Sequence, residues 1–81
     1  MADIKVLSPV PGTFYRSPAP GEPPYAIEGQ NVTVETVIGS IELMKQFHEV
    51  YAGEDGILTS FVAEDGEAVD SDVVLAILLK D

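Results

Sequence analysis

Cysteine is absent, and only four of the 81 residues are basic. Without a thiol the chain has no disulfide framework, no thiolate nucleophile and no cysteine-based metal site. His48 is the lone histidine, and no serine has a His–Asp pair at recognisable spacing, so a nucleophilic triad is excluded. The acidic pairs Asp70 with Asp72 and Glu64 with Asp65 read as solvated turn residues rather than as acid–base machinery or calcium ligands. Long apolar runs are missing too. Nothing approaches the roughly 20 residues needed to cross a bilayer, and no basic segment with an apolar run after it opens the chain at Met1-Ala-Asp. The expectation is a soluble, cytoplasmic protein that neither spans nor anchors to a membrane. Basic residues are outnumbered by 14 acidic ones, a formal charge of −10, which phosphate backbones and anionic lipid surfaces repel. Nucleic acid is therefore excluded as a partner. The acidity has two readings, solubility alone or complementarity to basic docking surfaces of larger enzymes, and composition does not choose between them.

What is present is enough for one small core. A hydrophobic content of 46% in 8.7 kDa predicts a single folded domain over residues 1–81, too short for a substrate cleft with its own lid. An internal repeat organises it. At an offset of 37 residues, Gly29 aligns with Gly66, Val32 with Val69 and Val37 with Val74, while acidic and apolar character is kept at Glu28/Asp65, Glu35/Asp72, Ile38/Leu75 and Ile41/Leu78. Upstream the offset becomes 44, pairing Val6 with Val50 and Gly12 with Gly56, so the first half carries seven extra residues between Gly12 and Gly29. That insertion holds Pro18, Pro20, Pro23 and Pro24, which favour extended backbone and oppose strand pairing.

Turn signals at Gly12, Glu28-Gly29, Asp55-Gly56 and Asp65-Gly66 separate short runs rich in Val, Ile, Thr, Phe and Tyr. Strands are expected near 5–7, 13–16, 37–42, 47–51, 57–62 and 74–79. A helix over 38–51 competes, because Ile38, Ile41, Met44 and Phe47 fall near helical spacing. The repeat decides against it: the counterpart Val73–Leu79 is β-branched with no polar face and reads as a buried strand, placing Val74 in the core. The fold class that follows is all-β, a flattened antiparallel β-barrel sandwich of two halves related by a pseudo-twofold axis.

Lys45 lies between the β-prone segments Val37–Glu42 and Phe47–Tyr51, which can pair as a hairpin with residues 43–46 at its tip. Ile41-Glu-Leu-Met-Lys45 resembles the Glu-Ala-Met-Lys-Met/Leu attachment motif of biotinyl domains, with Leu43 and Gln46 departing from it. The resemblance runs along the chain. Ser8-Pro-Val-Pro-Gly-Thr-Phe-Tyr-Arg-Ser-Pro18 is similar to the Ser-Pro-Met-Val-Gly-Thr-Phe-Tyr-Arg-Ser/Thr-Pro opening of the biotin carboxyl carrier family of acetyl-CoA carboxylase. Glu28-Gly-Gln-Asn-Val32 and Asp65-Gly-Glu-Ala-Val69 resemble its two acidic-glycine turns. The insertion falls where that family has a protruding thumb, here about 17–25.

The resemblance implies that Lys45 carries biotin through an amide, with biotin as the only cofactor, no metal and no catalytic residue of the protein's own. It implies a biotin protein ligase that loads the domain. A biotin carboxylase would then carboxylate the ring and a carboxyltransferase receive the carboxyl group, in the service of fatty acid synthesis. Glu42 and Met44 would be read by the ligase or the carboxylating partner, and Ser17, at the thumb's base, would contact the biotin ring. From the residues alone, Glu42 also reads as a solvated hairpin charge, Met44 as a cap over the barrel end and Ser17 as turn chemistry. The alternatives are a carrier of another biotin-dependent carboxylase or a lipoyl carrier. Lipoyl domains usually place Asp before the lysine and Ala after it, where this chain has Met44 and Gln46.

Overall fold

A computed structural model describes residues 2–80 and contains eight strands: β1 (Ala2–Leu7), β2 (Gly12–Tyr15), β3 (Asn31–Val32), β4 (Val37–Leu43), β5 (Gln46–Tyr51), β6 (Gly56–Phe61), β7 (Glu67–Val69) and β8 (Val74–Lys80). They form two antiparallel four-stranded sheets, ordered β1-β8-β6-β3 and β5-β4-β2-β7. Exchanging β1 with β5, β2 with β6, β3 with β7 and β4 with β8 turns one sheet order into the other. The sequence repeat is thus a structural one. The offset of 44 relates β1 and β2 to β5 and β6, and the offset of 37 relates β3 and β4 to β7 and β8.

The core obeys the same pairing. Phe14 and Leu58, Ile38 and Leu75, and Ile41 and Leu78 are fully buried repeat partners. Around them Val6 and Val50, Val32 and Val69, and Ala26 and Ala63 are buried in pairs as well. Each half contributes one apolar face, and neither can remove it from water without the other; burying a side chain of this size stabilises by roughly 1.5–3 kcal/mol.

Backbone bonding repeats in register. The Ser8 amide donates to the Val73 carbonyl at 2.9 Å, as Ala52 does to Thr36 at 2.8 Å, and Gly29 donates to Leu58 at 2.7 Å as Gly66 does to Phe14 at 2.6 Å. Each acidic-glycine turn is braced by its own side chain: the Ile27 amide donates to Gln30 Oε1 and the Glu64 amide to Glu67 Oε1. Gly12 and Gly56 are equivalent close-approach points. A Cβ at Gly12 would collide with the backbone carbonyl of Glu42, and one at Gly56 would lie 2.6 Å from that of Leu79, its repeat partner.

Two expectations need correction. The strands β3 and β7 follow the turns at Gly29 and Gly66 directly, where two or three residues are too few to show alternation. Within β8, Val74 is only half-buried while Leu75, Ala76 and Leu78 are buried, so the core position is Leu75. A sheet with one face against the core leaves alternate side chains outward even in an unbroken apolar run.

Candidate functional site

The hairpin of β4 and β5 pairs Leu43 with Gln46, leaving Met44 and Lys45 as a two-residue loop. Both have positive φ, 52° and 66°, the left-handed pair of a type I′ turn, whose twist matches the flanking strands. Such turns favour Asn-Gly or Gly-Gly; side chains with a full Cβ substituent are disfavoured there by roughly 1–2 kcal/mol per residue. The ladder on both sides holds the turn. Lys45 is exposed at its apex, and Met44 is 88% exposed, so it caps nothing. Among the described residues the ion pairs are Arg16–Glu64 and Lys80–Glu54, which leaves the Lys45 ammonium outside any pair.

Beside the hairpin lies a pocket of about 300 Å³, lined by Tyr15, Ser17, loop residues 18–21, Glu42, Phe47 and Asp65. The sheet supplies its floor. Phe47 is directly opposite Glu42 across β4 and β5, and Tyr15 lies diagonally from Glu42 across β2 and β4, so alternation puts all three on one face. The Tyr15 hydroxyl donates to Glu42 Oε1 at 3.4 Å, and the Tyr15 and Phe47 ring centroids are 6.3 Å apart. Burial, and then the Glu42 carboxylate, raise the Tyr15 hydroxyl above its ordinary value.

The wall is the inserted loop. Its base closes where the Tyr25 amide donates to the Arg16 carbonyl at 2.8 Å. At its tip the Glu22 amide donates to the Ala19 carbonyl at 3.1 Å, with Pro20 leading into Gly21 at φ 81°, the sequence pattern of a type II turn. Arg16 clamps this base to the segment between β6 and β7. Its guanidinium donates to the Ala63 carbonyl through Nε at 3.3 Å and Nη2 at 2.7 Å and sits 4.6 Å above the Phe61 ring centroid, while its backbone amide donates to Asp65 Oδ1 at 2.7 Å.

Of the residues singled out from sequence, Glu42 and Ser17 line this pocket, whereas Lys45 and Met44 stand at the turn next to it. Glu42 is more than a solvated hairpin charge, since it holds the Tyr15 hydroxyl. Asp65 is likewise more than a solvated turn residue, because it accepts the Arg16 amide and faces the pocket. Tyr15, Arg16 and Phe47 were not singled out individually. The signal for the first two was their place in the Gly12–Arg16 run, and for Phe47 its position opposite Glu42 in a paired hairpin.

The pocket and the tip fit a lysine-linked ring: an unencumbered amine, an aromatic and prolyl surface to rest on, and polar groups at its rim. Residues 4–78 match the family described as biotin-requiring enzyme. The chain is 44% identical over 73 residues to the biotin carboxyl carrier protein of acetyl-CoA carboxylase 1, chloroplastic, of Arabidopsis thaliana, covering 90% of this chain and 26% of that protein. It is 36% identical over 73 residues to the biotin carboxyl carrier protein of acetyl-CoA carboxylase of Haemophilus influenzae, covering 90% of this chain and 47% of that one. It thus spans between about a quarter and a half of these two relatives. In fold it superposes on the crystal structure of Kluyveromyces lactis urea carboxylase with a TM-score of 0.81 at 22% identity, over 98% of this chain and 6% of that one. The all-β barrel sandwich, the repeat and the match over residues 4–78 lead to one assignment: the chain belongs to the biotin-requiring enzyme family of biotin/lipoyl attachment domains.

Proposed function

We propose that this domain is a biotin carboxyl carrier: biotin is joined to Lys45 Nζ as an amide, and the loaded arm moves a carboxyl group from a biotin carboxylase to a carboxyltransferase of the acetyl-CoA carboxylase type. The observation that carries this reading is the exposed Lys45 at the apex of a two-residue, left-handed turn. A ligase must reach the amine, and two large partners must reach the ring afterwards; only a tip residue offers both. The names of the relatives support the choice of acetyl-CoA carboxylase over other carboxylases. On this reading the domain itself transforms no substrate. Amidation converts a strongly hydrated ammonium into a neutral link and removes one of four cations, so the loaded tip is less hydrated and the acidic surroundings less compensated.

Met44 and Glu42 would form the part of the tip that the biotin protein ligase or the carboxylase recognises, and Ser17 a rim contact to the ring. The unit would comprise residues 1–81, with its thumb at about 17–25 and its attachment hairpin at 43–46, working in the cytoplasm. No helix among the described residues is long and apolar enough to cross a membrane. The test is intact mass after co-expression with a biotin protein ligase. One biotinyl group is expected on the wild type and none on Lys45→Arg; a lipoyl increment, or biotin still bound to Lys45→Arg, would overturn the reading.

A further inference from the structure

The pocket beside the hairpin carries two anionic side chains, Glu42 and Asp65, and no basic one. Each carboxylate has a partner on the pocket side: Glu42 Oε1 accepts the Tyr15 hydroxyl at 3.4 Å, and Asp65, though exposed, accepts the Arg16 amide through Oδ1 at 2.7 Å. The nearest compensating cation is turned elsewhere, since the Arg16 guanidinium is spent on the Ala63 carbonyl, the Phe61 face and Glu64 at 4.0 Å. Glu42 and Phe47 lie three and two residues from Lys45, at most roughly 10 and 7 Å along a strand. A ring on the Lys45 arm can therefore lie in this pocket.

We propose that the pocket is a charge filter: it takes the uncharged, N–H-donating ring of the biotinyl group and expels the same ring once that ring bears a carboxylate. The inference rests on biotinylation of Lys45. An unloaded ureido ring brings N–H donors, which carboxylates accept well, and an apolar body that suits Phe47 and the prolyl wall. Carboxylation exchanges one ring N–H for an N–C bond to a carboxylate. The carbon comes from bicarbonate activated by ATP in the separate carboxylase, and the ring proton leaves to base. The pocket then faces a third anion beside Glu42 and Asp65, and like charges gathered in one site disfavour one another. The domain would shelter the ring between cycles and present it to the acceptor enzyme only when it is loaded. The field of both carboxylates is felt at the pocket floor: burial raises the Tyr15 hydroxyl most, Glu42 next, and Asp65 adds to it.

The experiment uses the biotinylated domain, checked by intact mass, and reads NMR cross-relaxation between the biotin ring protons and the Tyr15 and Phe47 rings. Three arms are compared: biotin, biotin carboxylated in situ with a biotin carboxylase, bicarbonate and ATP, and biotin bearing a neutral methoxycarbonyl group on the same nitrogen. Contacts are expected with biotin, about tenfold weaker with the carboxylated ring, and retained with the neutral group of equal bulk. The double variant Glu42→Gln with Asp65→Asn keeps both accepted hydrogen bonds while removing both charges, so it should hold the carboxylated ring nearly as well as the bare one. Equal contacts for the bare and carboxylated rings, loss of the neutral adduct, or a charge-neutral pocket that still rejects the carboxylate would each overturn the filter. A biotinylated domain with no ring contacts would overturn it too while leaving the carrier function standing; an unmodified Lys45 would bring down both.

Discussion

Met44→Asn should make the domain more stable, because it replaces the wrong residue for the turn without removing any packing. Met44 sits at φ 52° with its side chain 88% exposed, so nearly all of its apolar surface is already in water and truncation forfeits little burial. A methionine in the left-handed region costs roughly 1–2 kcal/mol, whereas asparagine visits it with a much smaller penalty. Glycine would relieve the same strain but returns about 0.5–1 kcal/mol through the extra freedom of the unfolded chain, which makes asparagine the cleaner test. The net expectation is a gain of about 1 kcal/mol. In urea, with a slope near 1 kcal/mol/M for a domain of this size, the midpoint should rise by about 1 M, and the melting temperature by about 4–8 °C. Biotinylation by the ligase should slow in the same variant, as expected if Met44 is part of what the ligase reads. A midpoint equal to or below that of the wild type, with the hairpin intact by NMR, would refute the claim that the turn is strained.

Lys45→Arg should abolish biotin incorporation, seen by mass, while shifting stability by no more than a few tenths of a kcal/mol, since an exposed, unpaired tip charge contributes little. Leu75→Asp, which puts a charge where the side chain is fully buried, should cost several kcal/mol and leave no cooperative melting transition, whereas Val74→Asp, at a half-buried position, should still fold with reduced stability. Replacing Pro18–Pro24 by a short glycine-containing turn should leave the barrel folded, because the equivalent connection between β6 and β7 has no insertion, but should release the biotin ring, read as a fall in its NMR order parameters. Alkali should weaken the fold from about pH 10 upward: Tyr51 is raised above 10.0 chiefly by its hydrogen bond to Glu49, Tyr15 above 10.0 chiefly by burial, and Lys80 above 10.5 by Glu54. Raised groups give stability that is fully present below the unfolded value and lost as pH climbs through the folded one. Urea midpoints between pH 9 and 12 should fall, and less steeply in Tyr15→Phe.

The fold was legible because its signals are local and doubled. Matching turns at Gly29 and Gly66, and matching apolar runs at Ile38–Ile41 and Leu75–Leu78, each report a strand twice, and that settled the strand against the helix over 38–51. The β4–β5 hairpin was legible for the same reason, with Lys45 placed between two strands that the repeat supported. Strands of two or three residues, β3 and β7, carry no period to detect. The pocket was not legible as a unit because its lining comes from four separate stretches of the chain. Asp65 shows this best: in sequence it is one more acid before a glycine, and only the pairing of β2 with β7 brings it to the Arg16 amide, 49 residues away.

The end of the domain that carries the pocket and the Met44–Lys45 turn is where the two halves stop matching. Tyr15, Glu42 and Phe47 have Thr59, Leu79 and Asp3 as their repeat counterparts, so the symmetry-related face has neither the aromatic pair nor the hydroxyl-bonded carboxylate. It also lacks the wall, because the seven inserted residues occur only before β3. The Met44–Lys45 turn joins β4 to β5, the strand pair whose repeat counterpart is β8 with β1, paired from Lys80 to Ala2. The ladder of β4 and β5 runs up to Leu43 and Gln46 and holds the tip between them in an unfavourable conformation. Symmetry therefore stabilises the barrel, and the departures from it give an exposed lysine at a turn and, beside it, a walled pocket with two carboxylates in its lining.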